Sequence, residues 1–227
     1  MTRNIRTIGS LALVLALGAA SACGGGSGGG GGGPPTGTQT GTVAGRVSNG
    51  AAGVAGVSVS IAGGGSATTD AGGNFSIGNV TTGARTVAIT MPAGFITANP
   101  ADGTSKEVTV SAGQSATANF GLKRGVVVTA SGTSFSPKSV SVPTGATVRW
   151  VNAGGGAHTV TPATAGQAGG WASANLPEGA LFEHTFGTAG NFNYRCLPHE
   201  AMGMTGSVGV GGSTTTPPEP DVPSYDR

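Results

Sequence analysis

Short runs of alternating apolar and polar residues, separated by Gly, Asn and Asp, make up the chain from residue 41 onward. Alternation with a period of two is typical of β-strands that bury one face, and the intervening Gly and Asn residues are typical of tight turns. About seven short strands in roughly 80 residues predict a small antiparallel β-sandwich over residues 41–122. The runs that indicate it are Thr42–Val47, Val57–Ile61, Asn74–Ile77, Arg85–Met91, Lys106–Val110 and Ala116–Phe120.

A second set of strand-like runs covers residues 125–211 and predicts a second sandwich, so the fold class is all-β with two domains. Residues 161–181 are rich in Ala, Gly and Ser and predict a long loop with one helical turn, covered by Trp171. The predicted strands are Val126–Thr129, Phe182–Phe186, Asn191–Cys196 and a closing strand with Val208 and Val210. The predicted core residues are Phe135, Val140, Val142, Val148 and Trp150.

The composition limits the function classes that the chain can belong to. The 45 glycines and 13 prolines make up about a quarter of the 227 residues, yet the β-branched runs between them are typical of folded strands. The net charge is only +2, and no basic stripe interleaved with aromatic residues is present, which excludes a nucleic-acid partner. The two cysteines, Cys23 and Cys196, indicate no disulfide framework.

The N-terminal segment has the pattern of an export signal. Arg3 and Arg6 precede an apolar stretch that is too short to span a membrane, so residues 1–22 are predicted to be a signal peptide. Ala20-Ser21-Ala22-Cys23 resembles a bacterial lipobox, with Ala where Leu is usual. The resemblance implies an exported lipoprotein on a periplasmic or cell-surface face, anchored to the membrane by lipid at Cys23. The alternative is cleavage near Ala22, which leaves Cys23 as a free thiol.

Two low-complexity segments flank the predicted sandwiches. Residues 23–40 are dominated by Gly followed by Pro and predict a tether that is flexible and then stiffer. Residues 212–227 contain a run of Ser, Thr and Pro and predict a disordered tail without a function of its own.

One short stretch near the end of the chain carries candidate metal-binding chemistry. Cys196 is followed by His199 three residues later and by Met204 five residues after that. A thiolate, an imidazole and a thioether suit copper, and a blue-copper site needs a second His as well. The chain has three His residues. His158 follows an apolar strand and a glycine loop and is the better candidate, whereas His184 lies within a strand pattern at no ligand spacing.

This part of the chain resembles the cupredoxin family, in its plastocyanin, pseudoazurin and amicyanin branch. The motifs are Trp150-x-Asn152 leading to His158-Thr159-Val160, and later Tyr194-x-Cys196-x-Pro198-His199. The resemblance covers residues 125–211 and implies a Greek-key sandwich with one type 1 copper. It assigns His158, Cys196, His199 and Met204 as the ligands.

The resemblance leaves one ligand with a competitor and departs from the family at one position. Met202 lies at the shorter, amicyanin-like spacing from Cys196, but Gly203-Met204-Thr205-Gly206 resembles the longer loop and favours Met204. The family often has Pro before the first His, where this chain has Ala157. In the family, the residue corresponding to Asn152 ties the two ligand loops together, which implies that role here.

Residues 41–122 resemble the carboxypeptidase regulatory-like family, which has a transthyretin-like sandwich. The motifs are Gly53–Val57, Thr69–Phe75 and Met91–Phe95. Asp70 and the glycines after it suit a turn, and one carboxylate provides far fewer oxygens than Ca²⁺ binds. Because this half has no His or Cys, it is predicted to be a spacer or contact module rather than a catalytic domain.

The cupredoxin resemblance implies an electron carrier rather than an enzyme. Copper oxidases and nitrite reductases need several further His ligands, and only His184 remains. A redox protein partner is expected to dock near His199, against the apolar residues Leu197, Pro198, Ala201 and Met202. Two alternatives remain open: a copper-handling lipoprotein without an electron-transfer role, and an adhesive lipoprotein in which copper is incidental.

Overall fold

The structure is a computed structural model, and it describes residues 37–164 and 170–212. Within these residues the secondary structure is almost entirely β, so the predicted all-β class is confirmed. The predicted signal peptide 1–22, the lipidation site Cys23, most of the tether 23–40 and the tail after residue 212 lie outside the described residues. Within the described part of the chain, no helix has the length and apolar character needed to cross a membrane.

Nine strands lie in the N-terminal half of the described chain, and their buried residues alternate as the sequence pattern predicts. In β5, for example, Phe75 and Ile77 are buried while Ser76 between them is exposed. The strands are β1 (Thr40–Asn49), β2 (Ala52–Gly53), β3 (Ser58–Ile61), β4 (Ser66–Thr68), β5 (Asn74–Thr81), β6 (Gly83–Ile89), β7 (Phe95–Thr97), β8 (Ser105–Val110) and β9 (Ser115–Thr117).

Eight strands and one short helix lie in the C-terminal half. The helix is a 3₁₀ helix, Leu197–Met202, and it contains the second half of the candidate copper motif. The strands are β10 (Phe120–Ser131), β11 (Ser134–Ser136), β12 (Ser139–Val142), β13 (Thr147–Asn152), β14 (Thr161–Pro162), β15 (Leu181–Thr185), β16 (Gly190–Arg195) and β17 (Thr205–Val210).

The strands form three sheets. A nine-stranded mixed sheet runs through both halves and includes β1, β10, β13 and β15. A four-stranded sheet in the order β4-β3-β6-β8 packs against its N-terminal part, and a second one, in the order β12-β17-β16-β14, packs against its C-terminal part. Each half therefore has its own hydrophobic core between two layers, one from Val43 to Leu122 and the other from Val128 to Val210.

The C-terminal core contains the residues that the sequence pattern predicts. Phe135, Val142, Val148 and Trp150 are buried, and Val140 packs against them at its edge. Trp171 is also buried rather than lying over a loop, because its indole stacks on that of Trp150 at a centroid distance of 5.7 Å. The helical turn predicted within 161–181 is not found in the described residues 161–164 and 170–181.

Strand β10 crosses the boundary that the sequence predicts between the two sandwiches. Phe120 and Leu122 belong to the N-terminal core, and Val128 and Ala130 belong to the C-terminal core. At this boundary Gly121 and the charged pair Lys123-Arg124 interrupt the apolar alternation. Two cores lie on one continuous strand, and the division into domains at residues 122 and 125 stays a prediction.

Candidate metal centre

The loop after β16 is shaped by a proline at its start and a glycine at its end. Pro198 occupies the first turn of the 3₁₀ helix. A backbone N–H at this position would have no acceptor within the helix, so proline, which lacks it, is tolerated there. Gly203 ends the helix with φ of 78°, a left-handed conformation that favours glycine. The Gly203 N–H donates to the carbonyl of Glu200 at 2.9 Å. The chain can therefore reverse sharply and enter β17 within a few residues.

Backbone hydrogen bonds inside this loop hold the candidate ligands close together. The His199 N–H donates to the Cys196 carbonyl at 3.2 Å, and the Met204 N–H donates to the His199 carbonyl at 3.3 Å. The Cys196 N–H donates in turn to the Met204 carbonyl at 3.0 Å. The three residues are thus fixed relative to one another by the backbone before any side-chain interaction is considered.

The loop that carries His158 depends on its glycines. Gly154, Gly155 and Gly156 have φ values of 120°, 86° and 107°, which residues with a side chain rarely adopt. At Gly155 a Cβ atom would lie 2.4 Å from the backbone nitrogen of Gly132, so this close approach also requires glycine. Beyond the turn, His158 exchanges two backbone hydrogen bonds with Leu176, at 3.1 and 2.8 Å.

The two loops bring three candidate ligands together. The Cys196 Sγ atom lies 3.6 Å from His158 Nδ1 and 3.3 Å from His199 Nδ1. Two ligands that are each about 2.0–2.3 Å from one ion in a tetrahedral arrangement would be separated by about 3.5 Å. The ligand atoms of His158, Cys196 and His199 all lie within 4.8 Å of one another, so these three side chains could hold one metal ion. The donor set and its spacing fit a single ion.

The environment of His158 determines which ring nitrogen is free to bind a metal. His158 is fully buried, and its Nε2 atom lies 3.3 Å from the carbonyl oxygen of Gly154. A carbonyl only accepts hydrogen bonds, so the proton is assigned to Nε2. Nδ1, which faces Cys196, then carries the lone pair. His199 is half-buried, so its ring reaches the protein surface while His158 does not.

The two methionines differ sharply in exposure. Met204 is 1% exposed and belongs to the C-terminal core, whereas Met202 is 64% exposed. A weak axial thioether ligand must reach an ion held between buried side chains. The structure therefore favours Met204 over Met202 as the fourth candidate ligand.

Thr159 connects the two ligand loops. Its N–H donates to Cys196 Sγ at 3.4 Å, and its hydroxyl oxygen accepts the N–H of Leu197 at 2.9 Å. This threonine was missed as a functional residue, because the sequence shows only that it follows His158. A hydrogen bond to the sulfur orients Cys196 toward the two imidazoles.

Asn152 makes three side-chain hydrogen bonds around the loop of His158, and its implied role in joining the two ligand loops stays a prediction. Its side-chain amide donates to the carbonyls of Gly156 and Leu176 at 2.8 and 2.9 Å. Its side-chain oxygen accepts the N–H of Gly154 at 2.8 Å. Two of these bonds lie within the loop of His158, and the third ties it to the carbonyl of Leu176. Asn152 thus positions the carbonyl of Gly154, which in turn orients His158.

His184 and Tyr194 lie outside the cluster of candidate ligands. His184 stacks on Trp171 at a centroid distance of 5.4 Å, and burial lowers its pKa, so it stays neutral at neutral pH. Tyr194 is fully buried beneath the ligand loop, and burial raises its pKa to about 12. The one ion pair on the ligand loop joins Arg195 and Glu200 at 2.7 Å on the surface. The candidate centre thus lies in a largely apolar, neutral setting.

Comparisons with known proteins concern the C-terminal half. The family described as "Copper binding proteins, plastocyanin/azurin family" matches residues 122–211. A plastocyanin from Scenedesmus fuscus is 34% identical over 84 residues, which cover 34% of this chain and 85% of the plastocyanin.

Solved structures of cupredoxins are also similar to part of the chain. A novel purple cupredoxin from Nitrosopumilus maritimus is 24% identical, with a TM-score of 0.34, over 37% of this chain and 98% of that protein. A reduced single-site mutant of amicyanin is 28% identical, with a TM-score of 0.34, over 38% of this chain and 81% of that protein.

Proposed function

This chain belongs to the plastocyanin/azurin family of copper-binding proteins, and from that membership we propose that it carries single electrons through one type 1 copper ion. Copper, the cofactor predicted from the sequence, follows from the family and from a donor set that fits it. The proposed ligands are His158, Cys196, His199 and Met204. The observation that carries this proposal is the convergence of Cys196 Sγ with the Nδ1 atoms of both histidines at 3.6 and 3.3 Å.

The protein side chains prepare the site for a metal that changes its charge. Copper, when bound, supplies a one-electron redox couple. Cys196 is fully buried, and the N–H of Thr159 donates to its sulfur, so the sulfur is oriented as a ligand and kept from solvent. The backbone hydrogen bonds of the ligand loop and the bracing of His158 restrict how far the donor atoms can move. A site that moves little between two charge states requires little reorganisation.

His199 is the proposed route for the electron. His199 is half-buried, whereas the side chains of His158, Cys196 and Met204 are enclosed. Leu197 is 50% exposed and Met202 is 64% exposed, so an apolar surface surrounds the edge of His199. A redox protein partner would dock against this surface, with its own centre facing the imidazole. The neutralised pair Arg195–Glu200 leaves little net charge nearby to steer the approach.

The alternative function is copper handling without a redox circuit. A chaperone-like site must release its metal to a partner, which requires access to the ligands. Burial of His158, Cys196 and Met204 argues for retention of the metal instead. Rapid transfer of copper from the loaded chain to a competing chelator would support copper handling, whereas slow release with fast, reversible electron exchange would support the carrier.

The proposed location is a periplasmic or cell-surface face, with the chain anchored to a membrane through lipid at Cys23. The support is the sequence pattern of residues 1–22 and the lipobox-like Ala20–Cys23. Mass spectrometry of the mature protein tests this directly, since a diacylglyceryl group on Cys23 adds a defined mass. A mature protein with a free Cys23 thiol would support cleavage without lipidation.

The proposed ligand set is tested by loading the purified chain with Cu(II). We expect one copper per chain and an intense visible band from thiolate-to-Cu(II) charge transfer. In a Cys196→Ser variant the band should vanish, and in a Met202→Leu variant it should persist. A wild-type chain that binds copper without this band, or a Cys196→Ser variant that keeps it, would contradict the proposal.

A further inference from the structure

A single extended segment runs alongside β1 and continues into the C-terminal half. Strand β9 pairs with β1 in parallel at Thr42↔Ser115, and β10 pairs with it at Val47↔Phe120. The register is the same in both pairings, and between them the Ala118 N–H donates to the Ala44 carbonyl at 2.9 Å. Ser115–Ser131 is therefore one continuous segment, called the spine below, that passes from the first core into the second.

The spine has a direction relative to the candidate metal centre. After leaving β1, it pairs with β13 in parallel from Gly125↔Thr147 to Ala130↔Asn152. Asn152 leads directly into the loop of His158, and the Gly132 N–H donates to the Gly154 carbonyl at 3.1 Å. The metal centre thus lies at the C-terminal end of the spine, whereas the start of β1 lies beside its N-terminal end. At about 3.3 Å per residue, the spine is about 50 Å long.

A buried charge cluster joins the two halves beside the spine. The Arg149 guanidinium donates to the hydroxyl and the carbonyl of Thr97 in β7, at 3.0 and 2.7 Å. It also pairs with Glu183 in β15 at 2.6 Å, and Glu183 pairs with Lys123 in β10 at 2.8 Å. Arg149, Glu183, Lys123 and Thr97, called the clamp below, connect strands from both halves. Arg149 is only 7% exposed.

The packing around the clamp explains why these polar contacts matter. An open surface groove of about 250 Å³ lies beside Arg149, and Ile96, Thr97 and Val127 are among the residues that line it. Apolar side chains do not close this groove. If the two halves separated, the Arg149 guanidinium would lose its two hydrogen bonds to Thr97. Because a buried charge without partners is costly, these bonds oppose bending of the chain at Gly125. At Gly125 itself, a Cβ atom would lie 2.9 Å from Ile96 Cδ1, which shows how closely the halves approach.

We propose that the N-terminal half is a rigid stalk that holds the candidate metal centre about 50 Å from the start of the spine. The spine sets the length and the clamp prevents bending at the junction between the two cores. A flexible spacer, by contrast, would leave the two sandwiches free to reorient, as is usual for domains joined through small interfaces. The inference rests on the strand register and the contacts given above, and not on the identity of the metal.

The test measures the spine in the full chain without copper. Cys23→Ser and Cys196→Ser remove the native thiols, and nitroxide labels are placed on cysteines introduced at the exposed residues Ser115 and Ser131. Pulsed dipolar electron resonance then gives the distribution of distances between the labels. We expect a single narrow distribution centred at about 50 Å. A broad distribution, or one centred well below this length, would overturn the proposal.

A variant pair tests the clamp. Arg149→Met removes the guanidinium, and the distribution should broaden roughly twofold or more as the halves gain freedom. Arg46→Met is the matched control, because the Arg46 guanidinium donates to the carbonyls of Gly72 and Ala51, both within the N-terminal half, and the substitution leaves its backbone bond to Asn119 in place. Its distribution should match the parent. An unchanged width in Arg149→Met would overturn the role of the clamp. If Arg149→Met does not fold, Lys123→Met provides a milder test of the same cluster, with the same two outcomes.

Discussion

The Nδ1 atom of His199 lies 3.3 Å from the Sγ atom of Cys196, three residues earlier in the chain. Only a tight turn can bring these two side chains onto the same ion, and the 3₁₀ helix that begins at Leu197 provides it. The partner from the other loop, His158, is brought in by a strand and a glycine turn 38 residues upstream. The site is thus a local motif completed by one long-range contact.

The methionines give the first prediction. Met204→Leu should raise the reduction potential of the bound copper, because loss of the axial thioether removes a donor that favours the higher oxidation state. Met202→Leu should leave the potential unchanged, since Met202 is exposed to solvent. Voltammetry of both variants beside the wild-type chain measures the effect. A shift in Met202→Leu with none in Met204→Leu would instead make Met202 the axial ligand.

Thr159 gives the second prediction. Thr159→Ala removes the acceptor of the Leu197 N–H, and we expect a loss of about 1 kcal/mol in the free energy of unfolding. The visible spectrum of the copper form should shift as well, because the ligand loop is then less firmly held. Thr159→Ser keeps the hydroxyl and is the control. Equal stability and identical spectra in the Ala and Ser variants would show that the hydroxyl does not connect the loops.

The third prediction concerns pH and the clamp. Burial alone would raise the pKa of the Glu183 carboxyl, but the hydrogen bonds and charges of Lys123 and Arg149 hold it below its ordinary value. A carboxyl with a lowered pKa in the folded state stabilises the fold above its unfolded pKa, near 4.3, and that stabilisation is lost as pH falls through the folded pKa.

Thermal unfolding of the copper-free chain between pH 6 and pH 3 tests this. The stability difference between the wild-type chain and Glu183→Gln should shrink as the pH falls below the unfolded pKa, about 4.3. Taking the difference removes the contribution of other acids, including Asp70, whose pKa is also lowered, chiefly by the Asn74 N–H. A difference that stays constant over the whole range would contradict the assignment of this stabilisation to the ionised carboxylate.

The fourth prediction concerns docking. Residues 125–211 carry three basic side chains, Lys138, Arg149 and Arg195, and three acidic ones, Glu178, Glu183 and Glu200. With no net charge on this half, electrostatic steering should be weak, and the rate of electron transfer with the physiological partner should depend little on salt. Stopped-flow rates across an ionic-strength series measure this. A steep fall from low to moderate salt would indicate a charged docking surface.

The local parts of the fold and site could be predicted from the sequence. Alternation placed Phe75 and Ile77 in one core and Val148 and Trp150 in the other, because a strand that buries one face needs apolar residues at every second position. The motif from Cys196 to Met204 could be recognised because its ligands lie close together in sequence.

The long-range parts could not be predicted, because they depend on contacts that leave no local pattern. No local pattern marks Arg149 as buried, because its partner Thr97 lies 52 residues earlier in the chain. Thr159 carried no signal of its own, since its role arises where two distant loops meet. Gly121, Lys123 and Arg124 interrupt the apolar pattern of the spine, so its continuity follows only from the pairing of β10 with β1 and β13.

The most direct test of the copper site is an anomalous difference map from crystals of the copper-loaded chain, collected at the copper absorption edge. The account predicts one strong peak bonded to Cys196 Sγ and to the Nδ1 atoms of His158 and His199, with the Met204 sulfur as the fourth and longest contact. A peak elsewhere in the chain, or a peak that excludes either histidine, would contradict it.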